Sequence, residues 1–209
     1  MKKIYLVRHG ETNHNAEGIV QGSDSVLSAR GEQQAIVLAS RLKTLAFEHL
    51  LVSDYVRTKQ TILPLLQCST VIPEYTPLLR ETKQPTELIG ISNSSEEFLT
   101  YYKNMSDNIS NPEWRFSDEE TFYDVVKRVK DFLQYAENKA GDVLAVSHGR
   151  FIIYVVMYII TEGKLDYETW LSTRHGFQTS NTGITVLEFS ERYNSWKLLT
   201  FNDQAHFAE

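Results

Sequence analysis

Two histidines in the chain stand in matching surroundings. Arg8-His9-Gly10-Glu11-Thr12 follows the apolar run Ile4-Tyr5-Leu6-Val7, and Ser147-His148-Gly149 follows Val143-Leu144-Ala145-Val146. A third apolar run, Leu50-Leu51-Val52, leads through Ser53 to Asp54 and Arg57. These residue types suit a phosphoryl group. A neutral imidazole attacks phosphorus and splits one displacement into two steps through a covalent intermediate. Guanidinium forks offer donors to the equatorial oxygens over which transition-state charge is spread. Cationic neighbours also oppose protonation of a histidine, which keeps His9 nucleophilic near neutral pH. A glycine after each histidine lets backbone and anion come close.

Such residues meet only if the elements carrying them are neighbours. Apolar runs at Ile4–Val7, Leu50–Val52, Thr70–Ile72, Val143–Val146, Ile184–Phe189 and Trp196–Phe201 read as strands, mostly buried on both faces. Ala35, Leu38, Ala39 and Leu42 repeat at helical spacing behind Ser28, a predicted N-cap. Phe122, Val125, Val126, Val129, Phe132 and Leu133 form a second stripe, with Asp118, Glu119 and Glu120 placed to favour its N-terminal dipole. Asp54 is expected to cap a third helix that runs to Leu66 and is bent or ended by Pro64. Phe151–Ile160 reads as a buried helix or strand, well short of the roughly 20 residues that cross a bilayer. Strands alternating with helices predict a three-layer α/β/α fold: a mixed, mainly parallel central sheet, helices on both faces and a helical cap insertion. Ligands of such sheets bind beyond the carboxyl ends of the strands, where the loaded segments lie. We expect one domain over residues 1–209, with the cap at roughly 82–125.

The balance of 42% hydrophobic and 23% charged positions is that of a folded globular chain. With 21 Lys and Arg against 27 Asp and Glu the net charge is −6, which argues against an extended nucleic-acid surface. The charge is uneven. Residues 1–80 carry nine basic and seven acidic side chains, whereas 81–141 carry seven and twelve. An acidic cap is therefore expected to disfavour highly anionic substrates. The same stretch concentrates Tyr101, Tyr102, Trp114, Phe116, Phe122 and Tyr123. A small core of the cap's own explains most of these, and one or two have the chemistry to line a substrate pocket.

Cys68 is the only cysteine, so no intramolecular disulfide forms. The N-terminal apolar run is too short for a signal-peptide core, and we expect a cytoplasmic protein with no membrane segment. His9 and His14 fit no zinc-ligand spacing, and neither a Walker A nor a Gly-x-Gly-x-x-Gly run occurs, so no metal and no cofactor is expected. His49, His175 and His206 read as structural or polar surface residues. Ser147 lacks the Gly-x-Ser-x-Gly setting of a serine hydrolase.

Arg8-His9-Gly10-Glu11-Thr12 with Asn15, Ser53 through Thr61, Leu79-Arg80-Glu81, Ser147-His148-Gly149, Asn181 through Leu187 and Asn202 through His206 occur in one order. This ordered set resembles the signature of the histidine phosphatase superfamily, the phosphoglycerate mutase-like branch 1, over nearly the whole chain. The resemblance implies that His9 becomes phosphorylated, that Arg8, Arg57 and His148 grip the phosphoryl oxygens, and that Glu81 is the proton donor and acceptor. It also places Asn15, Gln21, Gly22, Gly149 and Asn181 along the anion or substrate site. His148 is followed by Gly149-Arg150 rather than aspartate, which separates this chain from the acid-phosphatase and phytase branch.

After Glu81 the chain reads Thr82-Lys83-Gln84-Pro85, not the arginine-histidine-tyrosine-glycine run usual in mutases. Hydrolysis of a phosphomonoester, with a small phosphorylated metabolite as substrate, is therefore the expected reaction. The alternatives are a phosphoglycerate-type phosphomutase, a phosphoprotein or phosphohistidine phosphatase, and a phosphate-binding module without turnover. A nucleophile and a proton donor are superfluous for binding alone. The sequence leaves the oligomeric state open.

Overall fold

The computed structural model describes residues 2–207. In chain order the elements are β1 (Lys2–Arg8), α1 (Asn13–Glu17), α2 (Ala29–Leu42), β2 (His49–Ser53), α3 (Val56–Leu66) and β3 (Pro73–Thr76). There follow α4 (Glu96–Asp107), α5 (Phe122–Glu137), β4 (Val143–Ser147), α6 (Gly149–Ile160), α7 (Tyr167–Thr173), β5 (Ile184–Ser190) and β6 (Ser195–Asp203). The strands form one sheet in the order β3-β2-β4-β1-β5-β6. The β3–β2, β2–β4 and β4–β1 pairs are parallel, and β5 runs antiparallel to β1 and β6. This is the mixed, mainly parallel α/β arrangement expected.

Alternation along the strands builds a core on each face. Ile4, Leu6, Leu51, Val143 and Ala145 pack against α5 and α6 through Phe132, Phe151 and Val155. Val7, Leu50, Val52, Leu144 and Val146 pack against α2 and α3 through Leu38, Leu42, Ile62 and Leu65. Ser28 caps α2 by accepting the Gly31 N–H, and Thr121 with Asp124 forms a capping box on α5. The apolar run Phe151–Ile160 is helical: α6 lies between the sheet, α5 and α7 and has no polar stripe. A third, smaller cluster of Val20, Leu88 and Tyr101 anchors α4.

Several local expectations are corrected. The edge strand after α3 is Pro73–Thr76, not Thr70–Ile72, and Ile72 is 85% exposed. An edge strand pairs on one side only and needs no continuous apolar run, so β2 selects Pro73-Glu74-Tyr75-Thr76 by register. The other edge, β6, is likewise not buried on both faces, with Leu199 half exposed. Asp54 does not cap α3. Its carboxylate accepts from Arg80 instead, at 2.7 and 2.5 Å, and Tyr55 stands at the N-cap. Pro64 sits inside α3, which ends two residues later. Asp118, Glu119 and Glu120 precede α5 but bind loop groups and Arg128; Asp124 is the acid in its first turn.

Candidate active site

Strand register sets the site. Arg8 pairs with Ser147 across β1 and β4, and Val146 pairs with Val52 across β4 and β2, so the three exits lie level. His9 and His148 follow at once, with ring centroids 5.1 Å apart. Arg57, in the first turn of α3 and 1% exposed, reaches between them. Its Nε donates to His9 Nε2 and to His148 Nδ1, both at 3.2 Å, and its Nη1 donates to the Gly22 carbonyl at 2.7 Å.

These contacts assign the protons. His9 Nδ1 lies 2.7 Å from the Gly10 carbonyl, which only accepts, so Nδ1 carries the hydrogen and Nε2 presents a lone pair. His148 accepts on Nδ1 and therefore donates from Nε2 to Ser53 Oγ, at 2.9 Å. Burial, followed by the nearby Arg57, holds both imidazoles well below their ordinary pKa. Burial also lowers the Arg57 guanidinium, to about 10, which leaves it cationic at neutral pH.

Arg8 arrives from the end of β1. Its Nη1 donates to the Thr179 carbonyl at 2.6 Å, while its Nε is buried without a partner. Gly149 makes this path possible, since a Cβ there would stand 2.8 Å from Thr179 Oγ1 and 3.2 Å from Arg8 Nε. A side chain at that position would push on the guanidinium.

Glu81 comes from the loop after β3 and sits on the N-terminus of α6. Oε1 accepts from the Thr82 and Phe151 N–H groups at 2.9 and 3.0 Å, and Oε2 accepts from the Arg150 N–H at 3.1 Å. His148, the N-cap residue of α6, gives no side-chain cap bond, so Glu81 satisfies donors the helix would otherwise leave open. The loop is itself held by Arg128 of α5. That guanidinium donates to the carbonyls of Leu78, Arg80 and Glu81 and pairs with Glu120 at 2.8 and 2.7 Å.

Two cavities flank the segment Glu81–Gln84. One, of about 540 Å³, is lined by Arg8, Glu81, Gly149 and many aromatic rings. The other, of about 560 Å³, is lined by Arg57, Arg80, Glu81, Asn15, Gln21 and Gly22. Arg8, His9, Arg57, Glu81, His148, Gly22 and Gly149 thus meet at the junction of β1, β2 and β4. Asn15 completes a capping box with Thr12 on α1, and Gln21 accepts from the Thr12 hydroxyl at 2.9 Å. His9, His148 and Asn181 line neither cavity: the imidazoles are buried against Arg57, and Asn181 Nδ2 donates to the His9 carbonyl at 3.0 Å and so holds the β1 exit.

Ser53, Tyr55, Thr179 and Arg128 were not singled out by sequence. Ser53 and Tyr55 lie within a matched segment, and Tyr55 places its ring 5.2 Å from His148 and 4.9 Å from the Arg57 guanidinium. Arg128 carries no local signal of this role, because the carbonyls of the Glu81 loop that it holds lie about fifty residues away in sequence. Among the described residues, no cluster of three or more His, Cys, Asp or Glu is placed to hold a metal ion, and no helix is long and apolar enough to cross a membrane.

A family model for the histidine phosphatase superfamily (branch 1) matches residues 4–204. The chain belongs to that superfamily. It is 29% identical to a protein of Shigella dysenteriae described as "Probable phosphoglycerate mutase GpmB", over 99% of this chain and 95% of the relative. Among solved structures of similar fold, a phosphoserine phosphatase of Entamoeba histolytica in complex with 3-phosphoglyceric acid has a TM-score of 0.78 at 25% identity and 99% coverage of both chains. The alpha-ribazole phosphatase of Shigella flexneri has a TM-score of 0.76 at 21% identity, covering 96% of each chain. This superfamily member therefore has relatives described as phosphatases and as mutases.

Proposed function

We propose that the protein hydrolyses a phosphomonoester of a small metabolite in two steps through phospho-His9, without a metal. The observation that carries this reading is the single Arg57 Nε–H shared between His9 Nε2 and His148 Nδ1, with the His9 tautomer fixed by Gly10. As the Arg57 Nε–H turns from His9 Nε2 to a phosphoryl oxygen, the freed Nε2 lone pair attacks phosphorus, the P–O bond to the leaving alcohol breaks, and Glu81 gives that oxygen a proton. Water then attacks the phosphoryl group, yields a proton to Glu81, and the P–N bond electrons return to Nε2. Arg8, with one unpaired buried N–H, and Arg57 stabilise the charge spread over the equatorial oxygens. Glu81 Oε1 already accepts two N–H groups, so Oε2 is the oxygen that carries the transferred proton.

On the same footing, residues 82–125 act as a cap on one domain spanning 1–209. Its last turn, Phe122–Val125, opens α5 and also packs in the sheet core. The exposed free thiol of Cys68 fits the reducing cytoplasm. Arg80, Lys83 and Arg128, which face the second cavity, are each paired with a carboxylate, Asp54, Asp118 and Glu120 respectively. Among the described residues that leaves Arg57 and Arg150 as the lining arginines without a carboxylate partner, a small complement for a mutase that must also seat a second phosphoryl group, and it favours hydrolysis of a monoester. The test is orthophosphate release from a phosphomonoester panel with no phosphorylated activator present. Sustained release is expected; strict dependence on an added bisphosphate assigns the mutase reaction instead.

A further inference from the structure

The chemistry above uses one edge of the 540 Å³ cavity, and aromatic rings are the largest groups in the rest of its wall, set among polar side chains such as Gln84, Asn108, Asn111 and Gln178. Tyr102 of α4, Trp114, Tyr154 of α6, Tyr167 and Trp170 of α7, and Phe177 converge from five separate segments. The framework is locked rather than loosely collapsed. Tyr154 and Trp170 stack with centroids 3.6 Å apart at 21°, and Phe122 meets Tyr167 edge-on at 5.3 Å.

The carboxylates in the wall are already committed. Glu119 accepts the Phe116 and Ser117 N–H groups at 2.5 and 2.8 Å, and Glu120 is held by Arg128. Arg150 and Arg174, which also line the cavity, form no ion pair among the described residues, and a guanidinium lies favourably against a ring face. A space of this volume is that of a small-molecule site, far more than a three-carbon alcohol occupies.

Arg8, Glu81 and Gly149 belong both to this cavity and to the phosphoryl site. Glu81 borders the second cavity as well, but the aromatic residues of that one are only Tyr55 and Phe98, so an ester held by Arg8 with its leaving oxygen at Glu81 finds its larger apolar surface on the Arg8 and Gly149 side. Resting on the phosphatase reading above, we propose that the substrate is the phosphomonoester of a large, ring-bearing alcohol, whose ring system fills this cavity. Small anionic alcohols such as glycerate leave it largely empty. The acidic composition of the segment is not the selecting feature; the rings are, since the cavity's carboxylates are bonded internally.

The test compares kcat/KM for 1-naphthyl phosphate, glycerol 1-phosphate and 3-phosphoglycerate. The expected preference for the naphthyl ester over either small ester is at least about thirtyfold, the scale on which apolar pockets discriminate. Tyr102 is 46% exposed and Trp114 half-buried, so Tyr102→Ala and Trp114→Ala are placed to fold, and each should cut that ratio at least about fivefold. Leaving-group chemistry alone also favours the naphthyl ester, but it predicts an unchanged ratio in the two variants; that result, or a preference for the small esters, overturns the proposal.

If no monoester is turned over at all, the phosphatase reading fails. A titration of His9→Ala protein with 1-naphthyl phosphate against glycerol 1-phosphate, read by tryptophan fluorescence and by calorimetry, then decides the cavity's ligand separately. At least about tenfold tighter binding of the naphthyl compound is expected, and equal affinities contradict it.

Discussion

The phosphoryl pocket and the aromatic cavity meet at Glu81 but are made differently. The first is built at the ends of three paired strands, where register alone puts His9, His148 and Ser53 level. Arg8, His9 and Arg57 donate to the carbonyls of Thr179, Gly10 and Gly22, and His148 donates to Ser53 Oγ, so these groups are oriented before a substrate arrives. The second is assembled from α4, the start of α5, α6, α7 and neighbouring loops, and it depends on packing among rings. On the proposed reading, a rigid scaffold fixes the chemistry while the surrounding segments choose the alcohol.

The largest expected effects break the first region and spare the second. His9→Ala should reduce kcat by at least about 10³-fold, because no other residue supplies the covalent step. Arg57→Lys should cost about 10²-fold or more, since a point charge cannot replace a guanidinium that reaches both imidazoles and the Gly22 carbonyl together. If the regions are separable, both variants still bind the ring-bearing ligand.

Next come the residues at the boundary. Glu81→Gln should slow an alkyl ester by about 10²-fold and 4-nitrophenyl phosphate far less, because a good leaving group needs little protonation. Arg128→Met should show the same dependence on leaving group in weaker form, about fivefold to tenfold for the alkyl ester. Arg128 touches the Glu81 loop and not the histidines, so a uniform loss across esters would mean it only stabilises the fold.

A smaller effect lies in pH. His9 and His148 are held neutral, with folded pKa values well below that of the free imidazole. Between those values and about 6.5 the unfolded chain binds more protons than the folded one, so stability is full above about pH 6.5 and falls as the pH drops below it. Urea unfolding of wild type and of His148→Gln at about pH 7 and pH 5 checks this, with a flatter dependence expected in the variant. The smallest effect is none: exhaustive dialysis against EDTA should leave phosphate release unchanged, and a loss restored by a divalent cation would contradict the metal-free route.

The contrast between the regions also explains what the sequence made legible. His9, Arg57 and His148 follow apolar runs at short range, so local pattern placed them at strand exits, and parallel order brought the exits together. Glu81 was matched by motif only, because its position depends on α6 and Arg128, which are distant in the chain. Asn181 matched a site position, yet its amide serves the His9 backbone, a distinction that needs the fold. The edge strand was misplaced by three residues because pairing on one side imposes little apolar pattern. Of the aromatics in the acidic stretch, Tyr101, Tyr102, Trp114 and Phe122 line the cavity while Phe116 and Tyr123 do not. Composition gives no hint of that division, which follows from helix direction and from contacts with α7.

The most direct test of the central claim is to mix wild-type protein with excess phosphomonoester, quench into alkaline detergent within the first turnovers, and locate any phosphoryl group by peptide mass spectrometry. The account predicts a phosphoryl group on His9, attached through Nε2, that disappears as substrate is exhausted. Steady turnover with His9 unmodified, or with the phosphoryl group on another residue, would contradict it.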